Sequence, residues 1–176
     1  MMHKTNNNDT RAGFTIVELL IVIVVIGILA AITIVSFNGV QNRAHDTTVK
    51  SNLAAIAKKY ELFKTDSTSD KYPYGNGAYG LEAGAIPVSK NSYDTTGSYN
   101  LLNCTNTANP GSDYAMLALS KSGKKLWIGS SSNVIQEYTG SNDWKDVNTM
   151  CGTVMTGAGG NGAGYGSSIW RSWTGQ

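Results

Sequence analysis

Apolar residues follow three different patterns along this chain. From Leu19 to Val35, seventeen residues carry no charge and are broken only by Gly27 and Thr33. Counted from Phe14 to Phe37 the run is 24 residues, about 36 Å of helix at ~1.5 Å per residue. That is enough to cross the ~30 Å hydrocarbon core of a bilayer. Beyond Gly39 the pattern changes. Val49, Leu53, Ile56, Tyr60 and Phe63 recur at spacings of four, three, four and three, an apolar stripe on one helical face. Lys50, Lys58, Lys59, Glu61 and Lys64 fall largely off it. The stripe predicts an amphipathic helix over 38–64, packed on a sheet of its own domain rather than in a coiled-coil seam. The run TDSTSDKYP, Thr65 to Pro73, ends it with turn formers and a proline.

The third pattern is that of strands. YAMLAL (Tyr114 to Leu119) and KKLWIG (Lys124 to Gly129) flank a Ser-Lys-Ser-Gly turn, a hairpin signal. NVIQEY, Asn133 to Tyr138, is a third candidate. Residues 72–112 hold Pro73, Pro87 and Pro110 among many Gly, Asn and Ser, and read as a long surface segment with little regular structure. A three- or four-stranded antiparallel sheet against the long helix, an α+β architecture, would bury these side chains.

Composition narrows the function classes. The 176 residues suit one domain plus an appendage. Charged residues make up 15%, and 14 Lys+Arg against 12 Asp+Glu leave a net charge of +2, unlike the concentrated positive charge of a dedicated nucleic-acid binder. Lys4 and Arg11 precede the long apolar run, which places the first residues on the cytoplasmic side and the rest outside. The run is too long for an ordinary signal peptide and has no Ala-x-Ala site between Ile28 and Ala44. No cysteine lies near it for a lipid anchor. Glu18, five residues into the block, argues against a plain membrane anchor. An ionisable group in a membrane helix is costly and usually has a partner.

The stretch GFTIVELLIVIVVIGILAAI, Gly13 to Ile32, resembles the class III signal of type IV prepilins and pseudopilins. Its elements are a short basic leader ending in glycine, a phenylalanine, a glutamate four residues later and an uninterrupted apolar helix. The resemblance covers about the first 30 residues. It implies a pilin-like fold: a leader over 1–13, a transmembrane and assembly helix over 14–37, its amphipathic continuation over 38–64, and a globular head over 65–176. That head would carry a variable loop and a glycine-rich C-terminal region. The resemblance also implies cleavage by prepilin peptidase between Gly13 and Phe14, N-methylation of Phe14, and pairing of Glu18 with the Phe14 amino group of a neighbouring subunit. Val35 stands where the family often has a helix-kinking proline. Asn38 and Gly39 are poor helix residues, so a bend or local melting is expected there.

Cys104 and Cys151 would lie outside the cytoplasmic membrane, where disulfides persist. They form either one bridge, closing a 48-residue loop for up to ~4 kcal/mol, or two buried thiols. The resemblance implies a bridge that pins the C-terminal region to the sheet. No cofactor or metal site is expected, since the histidines are only His3 and His45. GAGGNG, Gly157 to Gly162, has dinucleotide-turn spacing, but that motif needs a strand, a helix and an acidic residue about 20 positions on. With only 14 residues following, it reads as a flexible loop. His45 beside Asp46 is expected to be a solvated histidine, because adjacent helix residues point apart. The Asn103-Cys104-Thr105 sequon reads as a chance match. Lys121, Lys124 and Lys125 near Trp127 could contact DNA phosphates, although a solvated hairpin turn is the simpler reading. Trp170 and Trp173 are either core or an exposed binding surface.

The function expected is therefore non-enzymatic: a structural subunit of a type IV pilus-like filament. It would be a single-pass protein of the inner membrane until assembly carries it to the cell surface. Its partners would be prepilin peptidase, other pilin subunits, the membrane and the assembly machinery. One alternative is a pseudopilin of a type II secretion-like or DNA-uptake machine. The other is a membrane-anchored surface binding protein that never assembles.

Overall fold

The structure, a computed structural model, describes residues 13–74, 88–94, 100–140 and 146–159. Two units can be distinguished, Met1–Val40 and Gln41–Gln176. One helix, α1 (Ile16–Asp66), contributes to both. It remains helical through Val35, Asn38 and Gly39, so the local melting expected there is absent. Gly costs only about 1 kcal/mol relative to Ala in a helix, and the flanking turns carry the hydrogen-bonded ladder across.

In the second unit five strands form one antiparallel sheet: β1 (Leu101–Asn106), β2 (Tyr114–Leu119), β3 (Lys125–Gly129), β4 (Gln136–Glu137) and β5 (Ala158–Gly159). Their order is β4-β3-β2-β1-β5. The register sets Leu101 opposite Ala118, Ala115 opposite Gly129, Leu126 opposite Glu137, and Thr105 opposite Gly159. A single 3-10 turn, Lys90–Ser92, and a second helix, α2 (Val147–Val154), complete the described elements.

Period-two alternation sends the strand side chains into two cores. On one face, Leu101, Tyr114, Met116, Ala118, Leu126 and Ile128 meet Val49, Leu53, Ile56 and Tyr60 of α1. On the other, Leu102, Cys104, Ala115, Leu117 and Leu119 meet Met150 and Cys151 of α2. β2 is buried at all six positions for this reason, and so its sequence reads as a continuous apolar run. The α1 stripe packs on the sheet as expected, with Phe63 at its end only half-buried.

Three expectations need correction. The segment 72–112 was expected to lack regular structure, yet β1 lies in it and is paired on both edges. Asn100 and Asn103 disguise it. Both are buried, although Asn is depleted in strands. NVIQEY is a strand only at Gln136–Glu137. Asn133 sits at φ 48, which ends the extended backbone before it, and Val134 is exposed. The sheet also has one strand more than expected, because Ala158–Gly159 joins β1. Gly157 to Gly159 of the GAGGNG run are thus a turn and a strand rather than a loop. The rest of that run, together with Trp170 and Trp173, lies outside the described residues.

Helix α2 gave no expectation beforehand. Its start is fixed by Asp146, whose carboxylate accepts from the Asn148 N–H at 3.0 Å and from the Thr149 hydroxyl, a side-chain N-cap. The Ser120–Lys124 turn is a hairpin as expected, with Gly123 at φ +86, a conformation glycine adopts without a Cβ clash. Gly111 (φ +82) also has no room for a side chain: a Cβ there would lie 2.8 Å from the Tyr72 carbonyl oxygen.

A tyrosine cluster closes one end of the α1-side core. The Tyr60 and Tyr114 rings stand 4.6 Å apart, and those of Tyr72 and Tyr114 4.8 Å. The Tyr72 hydroxyl donates to the Glu61 carboxylate at 3.1 Å, and Lys64 Nζ lies 4.7 Å from the Tyr72 ring centroid. The hydroxyls of Tyr60 and Tyr114 are buried without a hydrogen-bond partner among the described residues. Burial raises both above the ordinary tyrosine range. Burial and then the Glu61 charge push Tyr72 up to about 12, and burial, opposed by the Asn52 hydrogen bond, pushes Tyr93 up to about 12.

Two predictions follow from this packing. Tyr60→Phe and Tyr114→Phe should each leave the head as stable as before or raise its stability by ~1 kcal/mol, since each removes an unpaired buried hydroxyl. Tyr72→Phe should destabilise, by loss of its bond to Glu61. Chemical denaturation of the full chain reads both signs. The raised tyrosines hold their protons more tightly folded than unfolded. Their contribution is therefore complete below the ordinary pKa of 10.0 and is lost as pH rises through about 12 for Tyr72 and Tyr93. Tyrosinate absorbance of the folded chain should show these four tyrosines ionising above the ordinary pKa of 10.0, Tyr72 and Tyr93 at about 12.

The second prediction concerns the bridge between Cys104 and Cys151. Replacing both by Ala should speed amide exchange over Val147–Val154 at least ~tenfold while Val49–Tyr60 stays protected. Unchanged exchange in α2 would mean that packing alone holds it.

Candidate assembly site

Gly13, Phe14 and Thr15 lead into α1 as exposed backbone. Among the described residues nothing lies within 4 Å of where a Gly13 Cβ would stand. The packing of the described residues therefore places no demand for glycine there. Thr15 and Glu18 form a reciprocal pair. The Thr15 N–H and hydroxyl donate to Glu18 Oε2 at 2.9 and 2.8 Å, and the Glu18 N–H donates to the Thr15 hydroxyl at 3.2 Å. This is a capping box, which satisfies helix-start donors through both side chains. Its signature, Thr-Ile-Val-Glu at 15–18, stands in the sequence. Glu18 Oε1 carries no bond among the described residues, and a carboxylate oxygen can accept more than one.

Beyond this box every large apolar side chain from Ile16 to Val40 is exposed, as is that of Phe14. Two hydroxyls turn back onto the helix: Thr33 donates to the Ala30 carbonyl at 2.9 Å and Ser36 to that of Ile32 at 3.1 Å. Each satisfies itself without water, as an apolar medium requires. By length and composition α1 can cross a membrane.

In the head, the structure bonds Cys104 in β1 to Cys151 in α2, with Cα atoms 5.5 Å apart. Both residues are fully buried. The bridge ties α2 to β1 and resolves the choice between a disulfide and free thiols. The other candidates separate. His45 is half-buried rather than solvated, its Nδ1 3.4 Å from Ser92 Oγ. Its neighbour Asp46 accepts from Ser122 in the hairpin turn. The two are therefore not a catalytic pair, and each fastens α1 to a different segment. Lys124 is paired with Glu137 at 3.4 Å, which weakens the basic patch. Asn103 of the sequon is buried in β1 and closed to modification in the folded head. Among the described residues no three His, Cys, Asp or Glu side chains gather to hold a metal.

Residues 8–34 match the family described as "Prokaryotic N-terminal methylation motif". The chain is 30% identical over 112 residues to the type II secretion system core protein G of Escherichia coli K12, an alignment covering 62% of this chain and 73% of that protein. It is 33% identical over 73 residues to the core protein G of Pseudomonas aeruginosa, covering 42% of this chain and 49% of that protein. To the type IV major pilin protein PilA of Myxococcus xanthus it is 36% identical over 92 residues, 52% of this chain and 39% of that protein. The match thus spans half or less of the last two relatives. No solved structure matches significantly. With the methylation motif ending on the Gly13–Glu18 helix start and its apolar run, and with a long helix on a small antiparallel sheet behind it, the chain belongs to the type IV prepilin and pseudopilin family.

Proposed function

We propose that this chain is a structural subunit of a type IV pilus-like filament. In this reading prepilin peptidase cuts between Gly13 and Phe14 on the cytoplasmic side and the new Phe14 amine is methylated. The apolar part of α1 then holds the subunit in the cytoplasmic membrane, with its head outside, until assembly machinery extracts it. The observation that carries the reading is the state of α1: its apolar side chains from Phe14 to Val40 are exposed, and the one carboxylate of that stretch, Glu18, sits at its start. Hydrocarbon can cover that surface before assembly, and the helices of other subunits can cover it afterwards.

Glu18 has two successive partners in this scheme. In the membrane, Thr15 donates to it and offsets part of the cost of a carboxylate near hydrocarbon. In the filament, the Phe14 amine of a neighbour supplies a positive charge. Such a pair adds little net stability, because both charges lose water. It does penalise any axial offset that leaves them apart. Removing one partner of a buried pair costs ~3–5 kcal/mol, so a subunit without Glu18 is strongly disfavoured in assembly.

A second reading has one specific observation in its favour: the relative covered over 73% of its length is a type II secretion system core protein. In that case the same helix and the same cleavage serve a pseudopilin that stays with the envelope. DNA contact through the hairpin lysines has less support, given the Lys124–Glu137 pair.

Mass spectrometry of the N-terminal peptide in sheared-filament and membrane fractions tests both readings. N-methylated Phe14, abundant in sheared material, is the expected result; confinement of that peptide to membranes would select the pseudopilin reading. Gly13→Leu should leave a precursor uncut. Glu18→Ala should keep membrane insertion and lower filament yield at least ~tenfold. A normal yield from Glu18→Ala would remove the register role, and an uncut Met1 or Met2 start, with competent prepilin peptidase present, would return the chain to a plain anchor.

A further inference from the structure

The α2-side face of the sheet contains a cleft of about 270 Å³ that the family assignment does not use. Two small residues, Ala115 and Gly129, face each other across β2 and β3, and Ala115 lies in the lining. Gly129 has no room for a side chain: a Cβ there would lie 2.8 Å from the Tyr114 carbonyl oxygen and 3.4 Å from Trp127 Cζ3, so the indole packs closely over it. Trp127, two residues before Gly129 and therefore on the same face, forms one wall. Met155 and Thr156, just after α2, form another.

The far wall is polar. Asp113 continues the β2 alternation on the Ala115 side, and its carboxylate is fixed by two hydroxyls. Ser130 donates to Oδ1 at 3.2 Å and Ser112 to Oδ2 at 2.9 Å. Ser130 is itself set by the Tyr114 N–H, which donates to its oxygen at 3.3 Å. A carboxylate has about four acceptor sites, so two remain. Asp113 has no cationic partner among the described ion pairs. Ser131 and Thr156 add two more hydroxyls to the lining.

We infer that this cleft binds a single sugar ring. The apolar face of a pyranose suits the indole and the Ala115 methyl. Its vicinal hydroxyls suit the free acceptor sites of a carboxylate already held in place. The volume is just under the ~300–1,000 Å³ of common ligand pockets, and it admits one ring rather than an internal stretch of polysaccharide. An ammonium group is the competing guest, because an indole and a carboxylate also recognise cations. Three hydroxyls beside the carboxylate favour the sugar.

Saturation-transfer NMR on the full chain in lipid nanodiscs, free of sugar-based detergent, tests the inference. The probes are the methyl glycosides of glucose, galactose, mannose and N-acetylglucosamine, with tetramethylammonium as the cationic alternative. At least one glycoside should receive saturation on the ring protons of one face. Trp127→Leu and Asp113→Asn should each reduce that signal at least ~fivefold. Each variant is checked for an intact Cys104–Cys151 bridge and for unchanged amide protection over Val49–Tyr60. With a trisaccharide ending in the preferred sugar, signal should fall on the terminal ring. The inference is overturned if no glycoside responds, if both variants keep the full signal, or if saturation spreads over all three rings. A response from tetramethylammonium alone would likewise replace the sugar site with a cation site.

Discussion

The constraint on which this molecule depends is apolar surface that its own chain does not cover. A soluble helix buries its apolar stripe and exposes the rest. α1 does so between Val49 and Tyr60, where the stripe is covered by the sheet. Between Phe14 and Val40 the apolar side chains surround the helix and none of them is buried. One helix thus follows two solvation rules, and the change falls near Gln41, where the second unit begins. The first part needs an external apolar partner, and the second needs only the head.

The head answers a different problem. About a hundred residues must stabilise a sheet that has apolar side chains on both faces, and α1 can cover only one. The second face is closed by α2, a helix of eight residues, too short to hold its position by helix propensity alone. It is held by the Asp146 cap at its start and by a covalent bond from Cys151 to Cys104 of β1. The cap and the disulfide together fasten the cover over the second face of β1 and β2. The serine contacts of His45 and Asp46 do a smaller job of the same kind, fastening α1 to the 3-10 turn and to the hairpin.

Much of this was legible in the sequence, for reasons specific to each element. The apolar run, the stripe from Val49 to Tyr60 and the β2–β3 hairpin each repeat one physical signal several times, so no single residue decides them. β1 was missed because Asn100, Asn103 and Thr105 are polar residues buried by tertiary context, and local propensity carries no trace of that. α2 was missed because its apolar spacing, Val147, Met150, Cys151 and Val154, covers only two turns. The glycine-rich tract misled in part: β5 exists because β1 offers an unpaired edge, which no local pattern in Gly157–Gly159 reveals. At the candidate assembly site, the roles expected of Gly13, Phe14 and Glu18 are those that the resemblance to prepilin signals implies. The role of Thr15 could be read only by asking what satisfies the carboxylate before a neighbour arrives.

That last question bears on why a carboxylate is useful at this position at all. An apolar residue at position 18 would cost less in the membrane, and it would let apolar helices slide past one another, since dispersion contacts are much the same at neighbouring offsets. A charge changes the shape of that energy surface rather than its depth. The Thr15 hydrogen bonds make the waiting state tolerable. They also use only Oε2, so a charged donor can approach Glu18 without first breaking them. If the neighbour's amine is that donor, the subunit exchanges one satisfied state for another and passes through unsatisfied ones only at wrong offsets. The capping box and the proposed charge pair are then compatible parts of one device, in which local hydrogen bonding keeps the carboxylate in place and the partner's charge selects the register.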